Sequence, residues 1–252
     1  MPQVRDLSII DVPSGCVLTS CDISAGFGEK IHDSLAVAPE VTGQLTLRVA
    51  LLEMIATGAE VVAVSDVVGA EMEPTGRRVI AGIKNELKKA NLEHIELNGS
   101  TEENIEVTAT SVGVLVTGFA TRAALKITNV HQAAVLFAFG KPFVGEEVLQ
   151  NMDQMPDYEL VKRLIANSAV LEVVPVGSKG MSYEAHLLAE TNDCVFIPDE
   201  TLTVARMKKT AGPASVILAA VKANVSARFW EKFPSAKRLG DIRRKEDLSW
   251  EK

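Results

Sequence analysis

Three acids, Asp22, Asp33 and Glu53, stand where their type and spacing could do chemistry. Asp22 follows the apolar run 16–21, and Asp33 closes the loop Ser24-Ala25-Gly26-Phe27-Gly28-Glu29-Lys30. Acids at strand ends beside flexible glycine backbone suit a magnesium–triphosphate group, because the metal takes carboxylate oxygens while exposed N–H groups, here around Gly26 and Gly28, take phosphate oxygens. Ordinary turns have the same composition. Glu53 interrupts Ala50-Leu51-Leu52 and Met54-Ile55-Ala56. An unpaired carboxylate there is costly to bury, so it needs a partner, a metal or an exposed edge. At about 100° per residue it falls between Val49 and Ala56, close to the apolar side of its helix.

Two further segments are chemically suggestive. Asn98-Gly99-Ser100-Thr101-Glu102-Glu103-Asn104 is dense in oxygen donors and reads either as a plain turn or as a loop presenting Thr101 and one glutamate to a metal-bound phosphate. Gly177-Ser178-Lys179-Gly180 precedes a helix, where free N–H groups beside a lysine bind anions; the alternative is a helix simply capped by Ser178. The histidines His32, His94, His131 and His186 lack ligand spacing. A GxxxxGK[ST] loop, GxGxxG, GxSxG and HExxH are all absent, which disfavours P-loop and standard dinucleotide enzymes.

The elements that must position these residues are legible as pattern. With 252 residues, 47% hydrophobic and 23% charged, the chain has material for one large domain or two small ones. Its net charge of −7 argues against a nucleic-acid partner. The three cysteines, Cys16, Cys21 and Cys194, have neither disulfide-framework nor metal spacing, which suits a reducing cytoplasm. The start MPQVRDLSII has no apolar run after basic residues, and no stretch is long and apolar enough to span a membrane. Strands are expected in pairs over 8–21, then over 61–72 and 106–117. An amphipathic helix with Val41, Leu45, Val49, Leu52 and Ile55 on one face ends at Gly58, and a second has Pro74 at its start. Past a junction within 121–132, strands are expected at 135–139, 170–176, 195–197 and 216–220 and helices at 144–152, 158–167, 181–190 and 202–210. Strands and helices alternate without a strict order, so the expected architecture is α+β in two domains, 1–121 and 122–252, each a mixed sheet packed with helices.

At Thr19-Ser20-Cys21-Asp22, the glycine loop and RVALLEMIATGA, the chain resembles the first domain of the aminoimidazole ribonucleotide synthetase-like (PurM-like) superfamily, and Val176-Gly177-Ser178-Lys179-Gly180-Met181 resembles a glycine motif of its second domain. Within it, RVALLEMIATGAEV, GAEMEPTGRRVIAGI and NGSTEEN are most similar to alpha-ribazole kinases of cobalamin lower-ligand salvage. The resemblance implies transfer of the γ-phosphoryl group of ATP to the 5′-hydroxyl of alpha-ribazole; the rival readings are a thiamine-monophosphate kinase-like enzyme and a non-catalytic nucleotide-binding protein. It implies ATP and Mg²⁺ as cofactors, with Asp22 and Glu53 as metal ligands and Asp6 standing for an early Gly-Asp-Asp. Gly99, Ser100 and Thr101 match a Gly-Asp-Thr segment in which Ser100 replaces the aspartate, so Glu102 or Glu103 supplies the missing charge. Gly26, Gly28, Ser178, Lys179 and Gly180 are expected around the phosphates, and Asp22 or Asp33 as the group that accepts the hydroxyl proton. A cytoplasmic homodimer through the first domain completes the expectation.

Overall fold

The computed structural model describes residues 5–248. They divide into two compact units, one running to Ile55 and from Ala59 to Ala124, the other comprising Ala56–Gly58 and the chain from Leu125 onward.

The first unit contains β1 (Leu7–Val12), β2 (Gly15–Ala25), the short β3 (Phe27–Gly28) and β4 (Leu35–Ala36), α1 (Pro39–Ala56), β5 (Glu60–Val68), α2 (Arg77–Lys89), β6 (Glu96–Thr101) and β7 (Ser111–Ala120). Its sheet has the order β1-β2-β7-β5-β6, and only β5 and β6 are parallel. Alternation governs β2: Cys16, Leu18 and Ser20 point inward and are buried, whereas Cys21 and Ile23 are exposed on the outer side. On the inner side α1 is covered all round rather than along one stripe. Leu47, Ala50, Leu51, Leu52 and Met54 are fully buried, and no residue of the helix is exposed. A helix apolar around its whole circumference belongs inside the fold, which is why the amphipathic expectation fails here. The backbones of α1 and α2 approach so closely that a Cβ on Gly43 would collide with the Val79 carbonyl and one on Gly82 with the Glu40 carbonyl.

Local differences from the sequence pattern have local causes. β2 continues to Ala25, so Asp22 lies within the strand and not after it; its polar end stays extended because it pairs with β7 over its whole length, down to Ala25 opposite Ser111. Pro74 sits in the Met72–Gly76 turn ahead of α2. Residues 98–101 form part of β6, because Asn98 and Gly99 pair with Ser65 and Asp66 across the parallel ladder.

The second unit contains β8 (Ala134–Gly140), α3 (Glu146–Gln150), α4 (Tyr158–Ala166), β9 (Val170–Pro175), α5 (Gly180–Thr191), β10 (Cys194–Pro198), α6 (Val204–Lys208), β11 (Val216–Lys222), α7 (Ser226–Lys232), β12 (Lys237–Arg244) and α8 (Lys245–Leu248). The sheet order is β10-β12-β8-β11-β9, and every pairing is antiparallel, unlike the mixed sheet expected. Its central strands are apolar on both faces. Leu136, Ala138 and Leu218 share a core with Met181, Ala185 and Leu188 of α5, while Phe137 and Phe139 pack against Phe229 of α7. Helices on both sides explain the uninterrupted apolar runs that made these strands legible. β12 escapes the pattern because KRLGDIRR is mostly charged; only Leu239, Gly240 and Ile242 are buried.

Candidate functional site

Strand direction gathers the first unit's polar segments at one place. β2, β5 and β6 run the same way, opposite to β7, so the segments following them all leave from one end of the sheet. Hydrogen bonds lace these segments together. Gly26 N–H donates to the Thr110 carbonyl at 2.8 Å, His32 N–H to Thr108 at 2.9 Å and Gly69 N–H to Ser111 at 2.7 Å. Lys30 Nζ reaches Glu71 Oε2 at 2.7 Å, and the Met72 N–H donates to Glu103 Oε1 at 2.7 Å. They border an open polar cleft of about 410 Å³ whose lining includes Lys30, Glu71, Glu102 and Glu103.

The glycine loop owes its shape to Asp33. Its carboxylate accepts from the Thr110 N–H at 2.7 Å, the Thr110 hydroxyl at 2.8 Å and the Lys30 N–H at 2.8 Å. Gly28 lies so near Asp33 and Thr110 that a side chain there would displace them, and Gly26 turns the chain with φ +75°. Asp33 is thus a clasp with its oxygens engaged, and the structure does not bring it together with Asp22. Burial pushes the Glu71 carboxyl up, but hydrogen bonds from Lys30 and Thr75 outweigh it and hold the group at about 2. Glu71 therefore stays ionised, which keeps the loop tied at neutral pH.

Beneath the loops, the inner face of the sheet carries a row of paired positions: Asp22 on β2, Val114 on β7, Asp66 on β5 and Gly99 on β6. With strands about 4.8 Å apart, the backbones of Asp22 and Asp66 are separated by roughly 10 Å. Burial raises the Asp22 carboxyl to about 6, assisted by the charges of Asp6 and Glu53 and opposed by the Ile23 N–H. Glu53, also raised by burial, meets the partner it required in Arg5, at 2.6 Å. Asp6, Asp22 and Glu53 thus share an electrostatic neighbourhood. Glu102 and Glu103 belong instead to the cleft above, with Glu102 accepting from the Asn104 N–H and Glu103 from the Thr101 hydroxyl. Among the described residues no three His, Cys, Asp or Glu side chains come close enough to form a ready-made metal centre. The five expected metal ligands are therefore not one cluster: Asp6, Asp22 and Glu53 share one neighbourhood beside Arg5, and Glu102 and Glu103 line the polar cleft.

Asp66 is the site residue that sequence reasoning missed. It is 2% exposed, and its Oδ1 has no hydrogen-bond partner. Burial raises its carboxyl, opposed by the charge of Lys84. The carboxylate fills the space that a side chain on Gly99 would need, so that glycine makes room for the acid. The available signal was alternation: in Val64-Ser65-Asp66-Val67-Val68, Asp66 falls on the side of Val64 and Val68, both buried. Ser100 is exposed on the edge strand, and Thr101 bonds to Glu103.

The second-unit motif takes a different form from the one expected. Lys179, rather than Ser178, is the residue before the first turn of α5, and no side chain caps it. The Lys179 ammonium donates to the Tyr183 hydroxyl at 3.1 Å and lies 4.2 Å from that ring's centroid. Gly180, with φ +80°, is packed against the backbone of Lys208 and Lys209, an approach closed to any larger residue. Ser178 is exposed beside them.

Residues 5–120, nearly the whole of the first unit, match the family described as AIR synthase related protein, N-terminal domain. Among solved structures, thiamine monophosphate kinase from Aquifex aeolicus is similar over 96% of this chain and 90% of its own, with 14% identity and a TM-score of 0.65. Hydrogenase maturation protein HypE in complex with ATP is similar over 95% of this chain and 80% of its own, at 12% identity and a TM-score of 0.66. T. maritima PurL complexed with ATP matches 94% of this chain but 42% of its own length, at 11% identity and a TM-score of 0.64. At such identities the likeness is one of fold, and it extends through both units. Among curated protein sequences none matches this chain. No helix among the described residues is long and apolar enough to cross a membrane.

Proposed function

We propose that this chain is a Mg²⁺- and ATP-dependent small-molecule kinase whose acceptor is the 5′-hydroxyl of alpha-ribazole. The observation that carries the reading is the convergence of three loops over a row containing Asp22 and Asp66, in a fold shared with a thiamine monophosphate kinase. The residues present fit a metal-bound polyphosphate: Asp66 keeps a buried oxygen without a partner, and Asp22 is a carboxyl whose ionisation a nearby cation would favour. Asp22, Asp66 and, after release from Arg5, Glu53 would hold Mg²⁺, which when bound screens phosphate charge.

The chain's own residues supply the rest. The Gly26–Lys30 segment lies over the phosphates, its end N–H groups being held by the Thr110 carbonyl and the Asp33 carboxylate so that only those between them are left to phosphate, while Glu71 ties the Lys30 side chain. With the metal held by Asp66 and Glu53, the Asp22 carboxylate, at about 6 in the metal-free chain, would be more basic than an ordinary aspartate and suited to accept the acceptor's hydroxyl proton; as a metal ligand itself it would lose that basicity. The specific acceptor rests on the sequence resemblance at 48–61, 69–83 and 98–104. In this reading the first unit binds nucleotide and metal, the Ser178–Gly180 turn is given an anion-binding role by the sequence resemblance alone, and the enzyme works in the cytoplasm. A homodimer through the first unit's sheet has support in its outer side, where Ile23, Val67 and Leu115 are exposed. A sedimentation mass of one chain, unchanged in Leu115→Lys, would remove the dimer.

The test is phosphoryl transfer from Mg-ATP to alpha-ribazole, with thiamine monophosphate in parallel, read by product mass. The expected result is a product heavier by one phosphate, reduced at least about 100-fold in Asp22→Asn. Turnover of thiamine monophosphate alone would move the acceptor. Ser100 in place of an acid favours one second reading, a nucleotide-binding protein without catalysis; ATP binding with no acceptor turned over would establish it.

A further inference from the structure

A cavity of about 350 Å³ in the second unit has a lining of opposite character to the polar cleft of the first. Lys222 from the end of β11 and Arg228 and Lys232 from α7 line it, with Asn167, Asn224 and the side of Phe229, and no acid does. Its walls are held by backbone: Lys222 N–H donates to the Ala169 carbonyl at 2.9 Å, and Ala169 N–H to the Asn167 side chain at 2.9 Å. Arg228 and Lys232 are four apart on one helical face, a like-charge spacing that works against the helix. Lys126 is close enough that the Lys222 charge, after burial, helps push its ammonium below the usual lysine range.

None of Lys126, Lys222, Arg228 and Lys232 forms an ion pair with a described residue. Elsewhere in this unit Lys209, Arg238, Arg244 and Lys245 each pair with a carboxylate, whereas Lys141, Arg206, Lys208 and Lys237 pair with none among the described residues; what distinguishes Lys222, Arg228 and Lys232 is that they share one concavity whose lining has no acid. In a chain of net charge −7, three cations lining one concavity, with Lys126 near Lys222, carry an electrostatic cost that an anion would remove. The cavity's volume is that of a small-molecule site, and the chain's overall negative charge opposes a long polyanion.

We propose that this cavity is a second ligand site, for a small molecule bearing a phosphate or diphosphate group, held by Lys222, Arg228 and Lys232, with Phe229 as its apolar wall. The proposal does not depend on the kinase reading. Isothermal titration of the full chain with pyrophosphate, in EDTA so that no metal carries the anion, is the test. One pyrophosphate per chain is expected, with affinity weakened roughly tenfold in Lys222→Gln and again in Arg228→Gln, and unchanged in Asp22→Asn. Arg228 is exposed, so its variant keeps the fold, which circular dichroism verifies. A parallel titration with AMP distinguishes a nucleotide, which would bind more tightly than inorganic phosphate, from recognition of the phosphate group alone; either supports the site. No binding, or equal binding by wild type and both charge variants, would overturn it. A single-stranded oligonucleotide binding more tightly than pyrophosphate, and lost in the same variants, would replace the small molecule with a nucleic acid.

Discussion

Asp66 in the first unit and Glu172 in the second are both carboxylates buried within strands, at 2% and 0% exposure, and the fold treats them differently. Glu172 Oε2 accepts from the Asn192 side chain at 2.9 Å and the Asn129 N–H at 3.4 Å, so one of its oxygens is satisfied, while its Oε1 has no hydrogen-bond partner. Asp66 Oδ1 likewise has no donor, and a glycine lies where a neighbour's side chain could have been. A buried oxygen without a hydrogen bond is therefore common to both acids; what sets Asp66 apart is the Gly99 position that makes room beside its carboxylate. The contrast extends to the units. The first carries acids beneath its loops, and the second packs both faces of its central strands with apolar side chains and leaves cations around a cavity.

The largest stability effect should come from a third buried acid that has a partner. Arg5→Met leaves Glu53 buried and uncompensated and should cost about 3–5 kcal/mol, with much of it restored in the double variant Arg5→Met/Glu53→Met. Urea denaturation of the single and double variants measures this; a single variant as stable as wild type would show that the Arg5 pairing holds nothing.

The contrast between Asp66 and Glu172 predicts opposite outcomes. Glu172→Ala should destabilise by about 2 kcal/mol, because it opens a cavity and removes an acceptor, while leaving phosphoryl transfer per folded molecule unchanged. Asp66→Asn should change stability by no more than about 1 kcal/mol, because an unpartnered buried acid contributes little, yet lower turnover at least about tenfold. Equal destabilisation by the two substitutions would break the contrast, and full turnover by Asp66→Asn would remove that residue from the site.

The smallest effect is a pH dependence. A carboxyl raised in the folded state costs stability as pH rises through the window from its unfolded to its folded value, here 3.8 to about 6. Above that window Asp22→Asn should melt higher than wild type, by up to about 1 kcal/mol after solvent screening, and the difference should close toward pH 4. Thermal midpoints at pH 8 and pH 4 decide it, and coincident midpoints at pH 8 would mean that Asp22 is not penalised by its surroundings.

Much of the scaffold was legible because it is written in near-neighbour pattern. The Pro13-Ser14-Gly15 turn marked β1 and β2, alternation of Val112, Val114 and Val116 marked β7, apolar runs marked the central strands of the second unit, and glycines beside acids marked the loop closed by Asp33. The pattern failed where a second influence acted. β2 ran past its apolar residues because β7 offered it a full ladder, residues 98–101 became strand because β5 lay beside them, and β12 hid behind its charges.

The sequence by itself determined which segments become strands and helices and which of their faces are apolar, since both depend on residues a few positions apart. Tertiary structure decided which distant residues meet. Arg5 reaches Glu53 across 48 positions, Lys30 reaches Glu71 across 41 and Thr110 reaches Asp33 across 77. Asp66 comes beside Gly99 and into one row with Asp22 only through strand register. Register follows from the packing of the whole sheet against its helices, a long-range property that local periodicity does not encode.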